Sequence, residues 1–275
     1  MTKNGLGAAN ETPIGAETKL PNSKLPNSKL TVTQSPFDAY VRKYGTIPRR
    51  GVFGYFVHEL GRRIVGGDYP VGATLPNEPE LVEQFGISRT VIREAMKCLA
   101  GKGMVEIKTR VGTRVKERSN WHHLDTDVMV WYYETGPSTE IMRSIKDLRR
   151  VLEPEATARA AVRGTDEDHA AIAAAYEDMV SSIGDIQANG DADLRFHTAI
   201  FSATRNMVYA QLIDLMAVAI YANRTLSSQH EVAEGQKRSL PYHKDVLDAI
   251  TARDPEAALR ASHRLLDSWL NRYDF

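Results

Sequence analysis

A helical pattern of apolar positions opens at Val52, where hydrophobic side chains begin to recur every three or four residues: Val52, Phe53, Phe56, Val57, Leu60 and Ile64. The stretch GGDYPVGATLPNEP that follows is rich in Gly, Pro and Asn, which is typical of a loop. Two shorter helices are predicted next, separated by a bend at Gly86. Asn77 and Glu80 have the spacing of a capping box for the first, and Ser88 is a good N-cap for the second.

After Gly103 the hydrophobic period changes from that of a helix to that of a strand. Residues 104–118, MVEIKTRVGTRVKER, are therefore predicted to form a short hairpin. Three helices followed by a hairpin are the arrangement of a winged helix-turn-helix, in which the helix after the tight turn contacts DNA. We assign this domain to residues 46–118.

Beyond SNWHHLDTDV nearly every segment has a helical period, with breaks predicted near Gly164, Asn189, Asn206 and Gly235. We expect a helical linker over residues 119–136. Residues 137–275 are predicted to form an all-α antiparallel bundle for effector binding and dimerisation. The predicted fold class is therefore mainly α, with a two-stranded wing as its only sheet.

The start of the chain has a different character. Residues 19–30 read KLPNSKLPNSKL, a tandem five-residue repeat that is too short and too polar to bury a core. We therefore expect residues 1–45 to be a disordered tail.

The composition is that of an ordinary soluble protein, with 42% hydrophobic and 25% charged residues in 275 positions. Cys98 is the only cysteine, which excludes an internal disulfide and fits a reducing cytoplasm. No apolar run approaches the roughly 18 residues of a membrane span, and the first residues lack the apolar core of a signal peptide. We expect a cytoplasmic protein without a membrane partner.

The net charge of zero conceals an uneven distribution along the chain. Residues 42–118 hold 15 Lys and Arg against 8 Asp and Glu, a net charge of +7. Residues 119–275 hold 16 against 24, a net charge of −8. A basic module followed by an acidic one explains this division, and the basic module favours a polyanionic partner.

The predicted helix after Ser88 has two distinct faces on a helical wheel. One arc is apolar and is expected to pack inward, and it holds Val91, Ile92, Ala95, Met96 and Leu99. The opposite arc holds Arg89, Thr90, Arg93 and Lys97. Such an arc can be a solvated charged face or a DNA-contacting face. The Gly-containing turn before it, the polar residues at its amino end and the basic hairpin after it favour DNA.

Residue chemistry predicts which of these side chains contact bases and which contact phosphates. Arg89 or Arg93 could bond guanine O6 and N7 together, worth roughly 1–3 kcal/mol of discrimination. Phosphate contacts are expected from Lys97 and from the cations of the hairpin, Lys108, Arg110, Arg114 and Lys116. The partner we predict is double-stranded operator DNA.

The acidic module contains a core-facing arginine. In IMRSIKDLRRVLEPEATARAA (141–161), Arg149 falls in line with the apolar face, whereas Arg150 points outward. A buried arginine requires an anionic partner, because an unpaired buried charge is very costly. Two partners fit: Glu153 one turn further along, or the carboxylate of a bound effector held bidentately.

Three further polar side chains face inward. In DADLRFHTAIFSATRN (191–206), Asp193 and His197 lie at the centre of an apolar arc, and Arg195 lies on the opposite side. His243 is placed in the same way on its own helix. A lone histidine on an apolar face is usually a core residue with a satisfied hydrogen bond. Three potential ligands on two helices instead favour a metal ion or direct effector contact.

The stretch YPVGATLPNEPELVEQFGISRTVIREAMKCLAGKGMVEIKTRVGTRV resembles the GntR family of bacterial winged-helix transcription factors. The resemblance implies that Ser88, Arg89, Thr90 and Arg93 contact operator DNA. This chain has Pro79 where the family often has a DNA-contacting Arg. It has Arg110 at the wing tip, where a small residue or Gly is usual, so the operator sequence does not transfer.

Residues 122–272 resemble the all-helical ligand-binding (FCD) domain of the FadR-type branch of that family. The branch often holds a divalent metal, such as zinc, with Asp-x-x-x-His and two later histidines, and a small carboxylate docks on the metal. Asp193, His197 and His243 match this pattern. The position of the last histidine is Leu265 here, and His263 lies two residues before it.

The segments NWHHLDTDVMVWYYE and LRRVLEPEA are similar to those of the galactonate-responsive repressors of this branch. The resemblance implies a dimeric repressor of sugar-acid catabolism that a small carboxylate releases from an operator of two inverted half-sites. Alternatives are a regulator of lactate, acyl or amino-acid-derived carboxylates, a metal-dependent hydrolase or lyase, and a ligand-free DNA binder. No further acid or base lies at motif spacing, so we predict no catalytic residues.

Overall fold

The structure, a computed structural model, describes residues 51–108, 110–136, 139–213 and 229–270. The predicted tail, residues 1–45, lies outside these ranges. Within them, no helix combines the length and the apolar character that crossing a membrane requires.

The first part of the chain folds as the predicted winged helix. Its helices are α1 (Gly51–Gly66), α2 (Glu78–Phe85) and α3 (Arg89–Gly101), and its hairpin pairs β1 (Val105–Lys108) with β2 (Gly112–Val115) in antiparallel register. The inward faces of the three helices form one core, in which the rings of Phe56 and Phe85 pack edge to face at 4.9 Å.

The predicted caps are present and place α2 and α3 on either side of a tight turn. The Asn77 side chain accepts from the Glu80 N–H at 3.0 Å, and Glu80 accepts from the Asn77 N–H at 2.7 Å. Gly86 ends α2 in the left-handed conformation at φ 67°. Ser88 then caps α3 by accepting from the Val91 N–H.

A short 3-10 helix (Arg118–Asn120) and α4 (Thr126–Glu134) follow the hairpin, and α4 packs on α1. Trp131 is fully buried in this contact, and its indole N–H donates to His58 Nδ1 at 2.9 Å. A Cβ at Gly61 would lie 2.6 Å from the Trp131 ring, so only glycine permits this approach. The predicted linker helix is thus packed against the winged helix.

A buried ion cluster fastens the same segment. Lys102, at the end of α3, donates to Asp125 at 2.7 Å and to Asp127 at 2.7 Å. Asp125 also caps α4 by accepting from the Asp127 and Val128 N–H groups. Two carboxylates around one ammonium offset the cost of burying it.

In the second part, the residues that the structure describes form helices, as predicted: α5 (Thr139–Arg163), α6 (Asp166–Ser181), α7 (Ile186–Ala203), α8 (Gln229–Thr251) and α9 (Pro255–Leu270). Residues 207–213 are also helical. Helix α5 packs on α7, α8 and α9, and α8 also contacts α6 and α7. Short connections make α6–α7 and α8–α9 antiparallel hairpins of helices.

One predicted helix break is displaced and another is wrong. The break predicted near Asn189 lies at residues 182–185, between α6 and α7, and Asn189 itself is inside α7, where its buried amide donates to the Met179 carbonyl of α6 at 2.8 Å. Gly235 lies inside α8, a helix held by packing on four neighbours, and tertiary contacts outweigh the low helix propensity of glycine. The breaks predicted near Gly164 and Asn206 lie where α5 and α7 end.

Candidate DNA-binding face and effector site

Helix α3 separates its two faces as the wheel predicted. Ile92, Ala95, Met96 and Leu99 are buried, and Val91 is half-buried. The predicted contact residues are all exposed along one side of the helix: Ser88, Arg89, Thr90, Arg93 and Lys97. The positive amino end of α3 lies among them, which favours an anionic partner such as a phosphate.

Two cations of this face pair with carboxylates. Arg93 Nε donates to Glu78 Oε1 at 2.8 Å, and this hydrogen bond and charge lower the pKa of Glu78. Lys97 Nζ lies 2.8 Å from Glu94 Oε1. Both pairs are exposed, so water and salt weaken them, and phosphates can compete for the two cations.

The wing places its two predicted arginines differently. Arg110, at the tip, is exposed and has a positive φ of 67°. Arg114 lies on β2 and donates to the Gly72 carbonyl at 2.6 Å, so it also ties the wing to the loop before α2. The sequence pattern identifies both as surface cations but does not reveal this second role of Arg114.

In the bundle, the inward-facing residues predicted from the helical wheels lie together and are buried. Asp193 and His197 are on α7, His243 is on α8 and Arg149 is on α5, each no more than 8% exposed. Arg195 points away and pairs with Asp178 at the surface. Because α7 packs on α5 and α8, the three helices bring these side chains to one place.

The Asp193, His197 and His243 ligand atoms all lie within 4.8 Å of one another, and we call these residues the Asp-His cluster. His243 Nε2 is 3.0 Å from Asp193 Oδ1, and His197 Nε2 is 3.7 Å from the same oxygen. His243 Nδ1 lies 2.9 Å from the Ser239 carbonyl, which can only accept, so Nδ1 carries the proton. Its Nε2 is thereby directed at the cluster.

Glu153 orients the second histidine. Its Oε2 lies 3.3 Å from His197 Nδ1, and its Oε1 accepts from Arg149 Nε at 2.5 Å. Complete burial alone raises the pKa of Glu153, but the charges of Arg149 and His197 and their hydrogen bonds lower it to about 2. The carboxylate is therefore ionised and holds the Nδ1 proton of His197, which leaves Nε2 facing Asp193.

This arrangement fits a divalent metal. Both histidines bond through Nδ1 to an acceptor and present Nε2 beside a carboxylate, as imidazole ligands of metals usually do. Leu265 is buried and apolar, and His263 is exposed, so neither adds a ligand among the described residues. A metal held by these three residues would have room to bind an exogenous oxygen.

The one-turn spacing predicts Glu153 only as a partner of Arg149, and that pairing is present. Its contact with His197 was missed, because the wheel of one helix does not reveal which residue of another helix it meets. The only available signal was that Glu153 and Arg149 are one turn apart on a predicted inward face.

The fold and the two sites define a class of protein: a DNA-binding transcription regulator in which a winged helix is joined to a helical sensor domain. The model of the gntR family of bacterial regulatory proteins matches residues 56–115, and that of the FCD domain matches residues 144–268.

Curated relatives agree with this assignment. The galactonate operon transcriptional repressor of Escherichia coli (strain K12) is 33% identical over 216 residues, 78% of this chain and 93% of that protein. The Glc operon transcriptional activator of the same strain is 28% identical over 223 residues, 78% of this chain and 85% of that one. The chain belongs to the GntR family, in its FCD-containing branch, and is an effector-responsive transcription regulator rather than an enzyme.

A solved structure supports the fold alone. Lar, which controls the expression of the Listeria monocytogenes agr system, aligns with a TM-score of 0.54 at 17% identity. The alignment covers 79% of this chain and 94% of Lar.

Proposed function

We propose that this regulator is a homodimeric repressor of sugar-acid catabolism, and that a small carboxylate, bound at a divalent metal in the bundle, releases it from its operator. The observation that carries the proposal is the buried Asp-His cluster, in which two oriented imidazoles and one carboxylate converge. A metal held by Asp193, His197 and His243 would supply a Lewis-acidic position for an effector carboxylate.

Arg149 and Glu153 give the site its charge balance. Asp193 and Glu153 are buried carboxyl groups, of which Glu153 is ionised, and Arg149 is a buried cation on the same helix as Glu153. A bound metal adds positive charge next to them, so an anionic ligand is favoured over a neutral one. Arg149 is an effector-site residue in this proposal, and Glu153 lies between its Nε and His197.

The direction of regulation and the effector class rest on the relatives. One relative is named a galactonate operon repressor and another a Glc operon activator, so the family allows both directions. The repressor has the higher identity of the two, which favours repression and a sugar acid. A regulator of another carboxylate pathway is the alternative.

Release requires the effector to bind the DNA-free conformation more tightly than the DNA-bound one, because equal affinity shifts no equilibrium. A difference of about 1.4 kcal/mol gives tenfold release. We infer that ligand binding changes the packing of α5, α7 and α8, which all carry site residues, and thereby the spacing of the two winged helices in a dimer.

The test is thermal unfolding of the zinc-loaded protein with D-galactonate, glycolate or L-lactate, each with and without a chelator. A ligand at a hundred times its Kd should add about 2.7 kcal/mol of stability and raise Tm, and the chelator should abolish that increase. The same acid should release operator DNA in fluorescence anisotropy. If no acid raises Tm, the carboxylate proposal is wrong.

Two matched histidine variants separate the metal site from the rest of the bundle. His243→Gln should abolish zinc binding and the acid response together. His263→Gln, at an exposed position on α9, should retain both. Equal loss in the two variants would contradict the assignment of the Asp-His cluster.

A further inference from the structure

Gln236, on α8, carries a buried side-chain amide in which only the oxygen is hydrogen-bonded among the described residues. It is 7% exposed, and its Oε1 accepts from the Gly184 backbone N–H at 2.9 Å. Its Nε2 is completely buried and, among the residues that the structure describes, has no acceptor. Buried amide donors without a partner are rare in folded proteins and cost free energy unless something else accepts from them.

The orientation of this amide is fixed by its neighbour. A backbone N–H can only donate, so the Gln236 atom that faces Gly184 is the oxygen. Rotating the amide by half a turn would place NH₂ against N–H and lose the one bond that is present. The unsatisfied group is therefore the NH₂, a donor that requires an acceptor such as a hydroxyl or carboxylate oxygen.

Gln236 lies on the same face of α8 as His243. The buried residues Gln236, Leu240, His243 and Leu247 follow one stripe of the helix. Gln236 and His243 are seven residues apart, which is about 10 Å along a helix. Gln236 contacts Gly184, in the connection just before α7, and His243 contacts Asp193 within α7. The free donor and the Asp-His cluster are thus two ends of one buried strip.

We propose that Gln236 is the length-selecting residue of the effector site. It donates to a distal hydroxyl oxygen of a polyhydroxylated carboxylic acid whose carboxylate lies at the Asp-His cluster. A six-carbon sugar acid spans most of the distance between the two ends, whereas a two- or three-carbon hydroxy acid reaches only the cluster. This inference rests on the proposed function, since it requires an acid bound at Asp193, His197 and His243.

The test is calorimetric titration of the zinc-loaded full chain with D-galactonate as the long probe and glycolate as the short one. Gln236→Met keeps the length of the side chain and removes the donor. We expect the Kd of this variant for D-galactonate to rise at least tenfold, while its Kd values for glycolate and zinc stay unchanged. The Tm of the ligand-free variant should change little, because the substitution removes an unsatisfied buried donor together with one hydrogen bond.

Two further variants guard against a general packing effect. Gln236→Glu keeps an acceptor for Gly184 but lacks the NH₂, so it should lose D-galactonate affinity as well. Gln187→Met, at a half-buried glutamine of α7 that bonds Asp191, should bind both probes normally.

The possible outcomes are distinct. Unchanged D-galactonate affinity in Gln236→Met overturns the inference and leaves the proposed function standing. A parallel loss of glycolate and D-galactonate also overturns it, since that result indicates a structural role. If the wild-type chain binds glycolate but not D-galactonate, the length-selecting role is wrong and the carboxylate site survives. If it binds neither, both proposals fail.

Discussion

At the residue scale, Arg110 combines an unfavourable backbone with a prominent position. It is the third residue of the tight turn in which the Val111 N–H donates to the Lys108 carbonyl, and its φ is 67°. Glycine or asparagine is the usual residue there, because a side chain at positive φ costs roughly 1–2 kcal/mol. Arg110 is exposed at the wing tip, and its backbone is strained. We therefore expect its side chain to contribute a contact with operator DNA.

We expect Arg110→Gly to raise the free energy of unfolding by about 1 kcal/mol, because the strain is relieved. The same change should weaken operator binding roughly tenfold or more, as the loss of one arginine contact to DNA would. Urea unfolding and fluorescence anisotropy measure the two effects. Arg253→Gly is the control, because it has a similar φ of 55° on the bundle, and it should leave operator affinity unchanged.

Glu153 offers a second prediction at this scale. Glu153→Gln removes the charge that holds the Nδ1 proton of His197, and losing a hydrogen-bond partner of a ligand histidine typically costs about 10- to 100-fold in metal affinity. Competition titration with a zinc indicator measures the loss. Glu155→Gln is matched to it on the exposed side of the same helix and should bind zinc as the wild type does. Unaltered zinc affinity in Glu153→Gln would remove Glu153 from the metal site.

At the scale of elements, the contact between α1 and α4 depends on one glycine. Gly61→Ala would place a Cβ 2.6 Å from the Trp131 ring, and the two helices would have to separate. Overpacking of this kind costs typically 1–3 kcal/mol, so Tm should fall. At Gly101, near the end of α3, an added Cβ meets nothing within 4 Å, and Gly101→Ala should be neutral or slightly stabilising. A lower Tm in both variants would exclude the specific clash.

Elements with local signals could be predicted from the sequence, and those set by tertiary contacts could not. Asn77, Glu80 and Ser88 form caps within a few residues of themselves, so α2 and α3 begin where expected. Gly235 carries a local signal for a break. The helix α8 nevertheless continues through this residue, because α8 packs against neighbouring helices.

The candidate site divides in the same way. Helical wheels predicted that Asp193, His197 and His243 face inward, since burial follows the period of one helix. Two other contacts depend on which segments are neighbours in the fold: the contact of Glu153 with His197, and the hydrogen bond of the Gln236 side chain with Gly184. No pattern along a single helix contains that information.

At the scale of the whole molecule, the two roles lie in different parts of the chain. The basic winged helix attracts DNA, and the acidic bundle carries the candidate effector site. Each phosphate contact in a complex with duplex DNA contributes about −0.9 to the slope of log K against log salt. In a dimer, Lys97→Ala removes two such contacts, so the slope should become less steep by about two. Lys244→Ala, on the bundle, should leave it unchanged. A reduction of about one would indicate that a single protomer binds.

The packing of α4 on α1 also determines where this protein can be divided. Consider a chimeric regulator in which a foreign sensor replaces everything after residue 118. Lys102 would lose its partners Asp125 and Asp127, and the apolar surface around Gly61 would be exposed to solvent. A joint at Gly136, two residues after α4, keeps Trp131 and the ion cluster inside the transplanted piece. The portable unit for building new switches therefore extends a full helix beyond the wing.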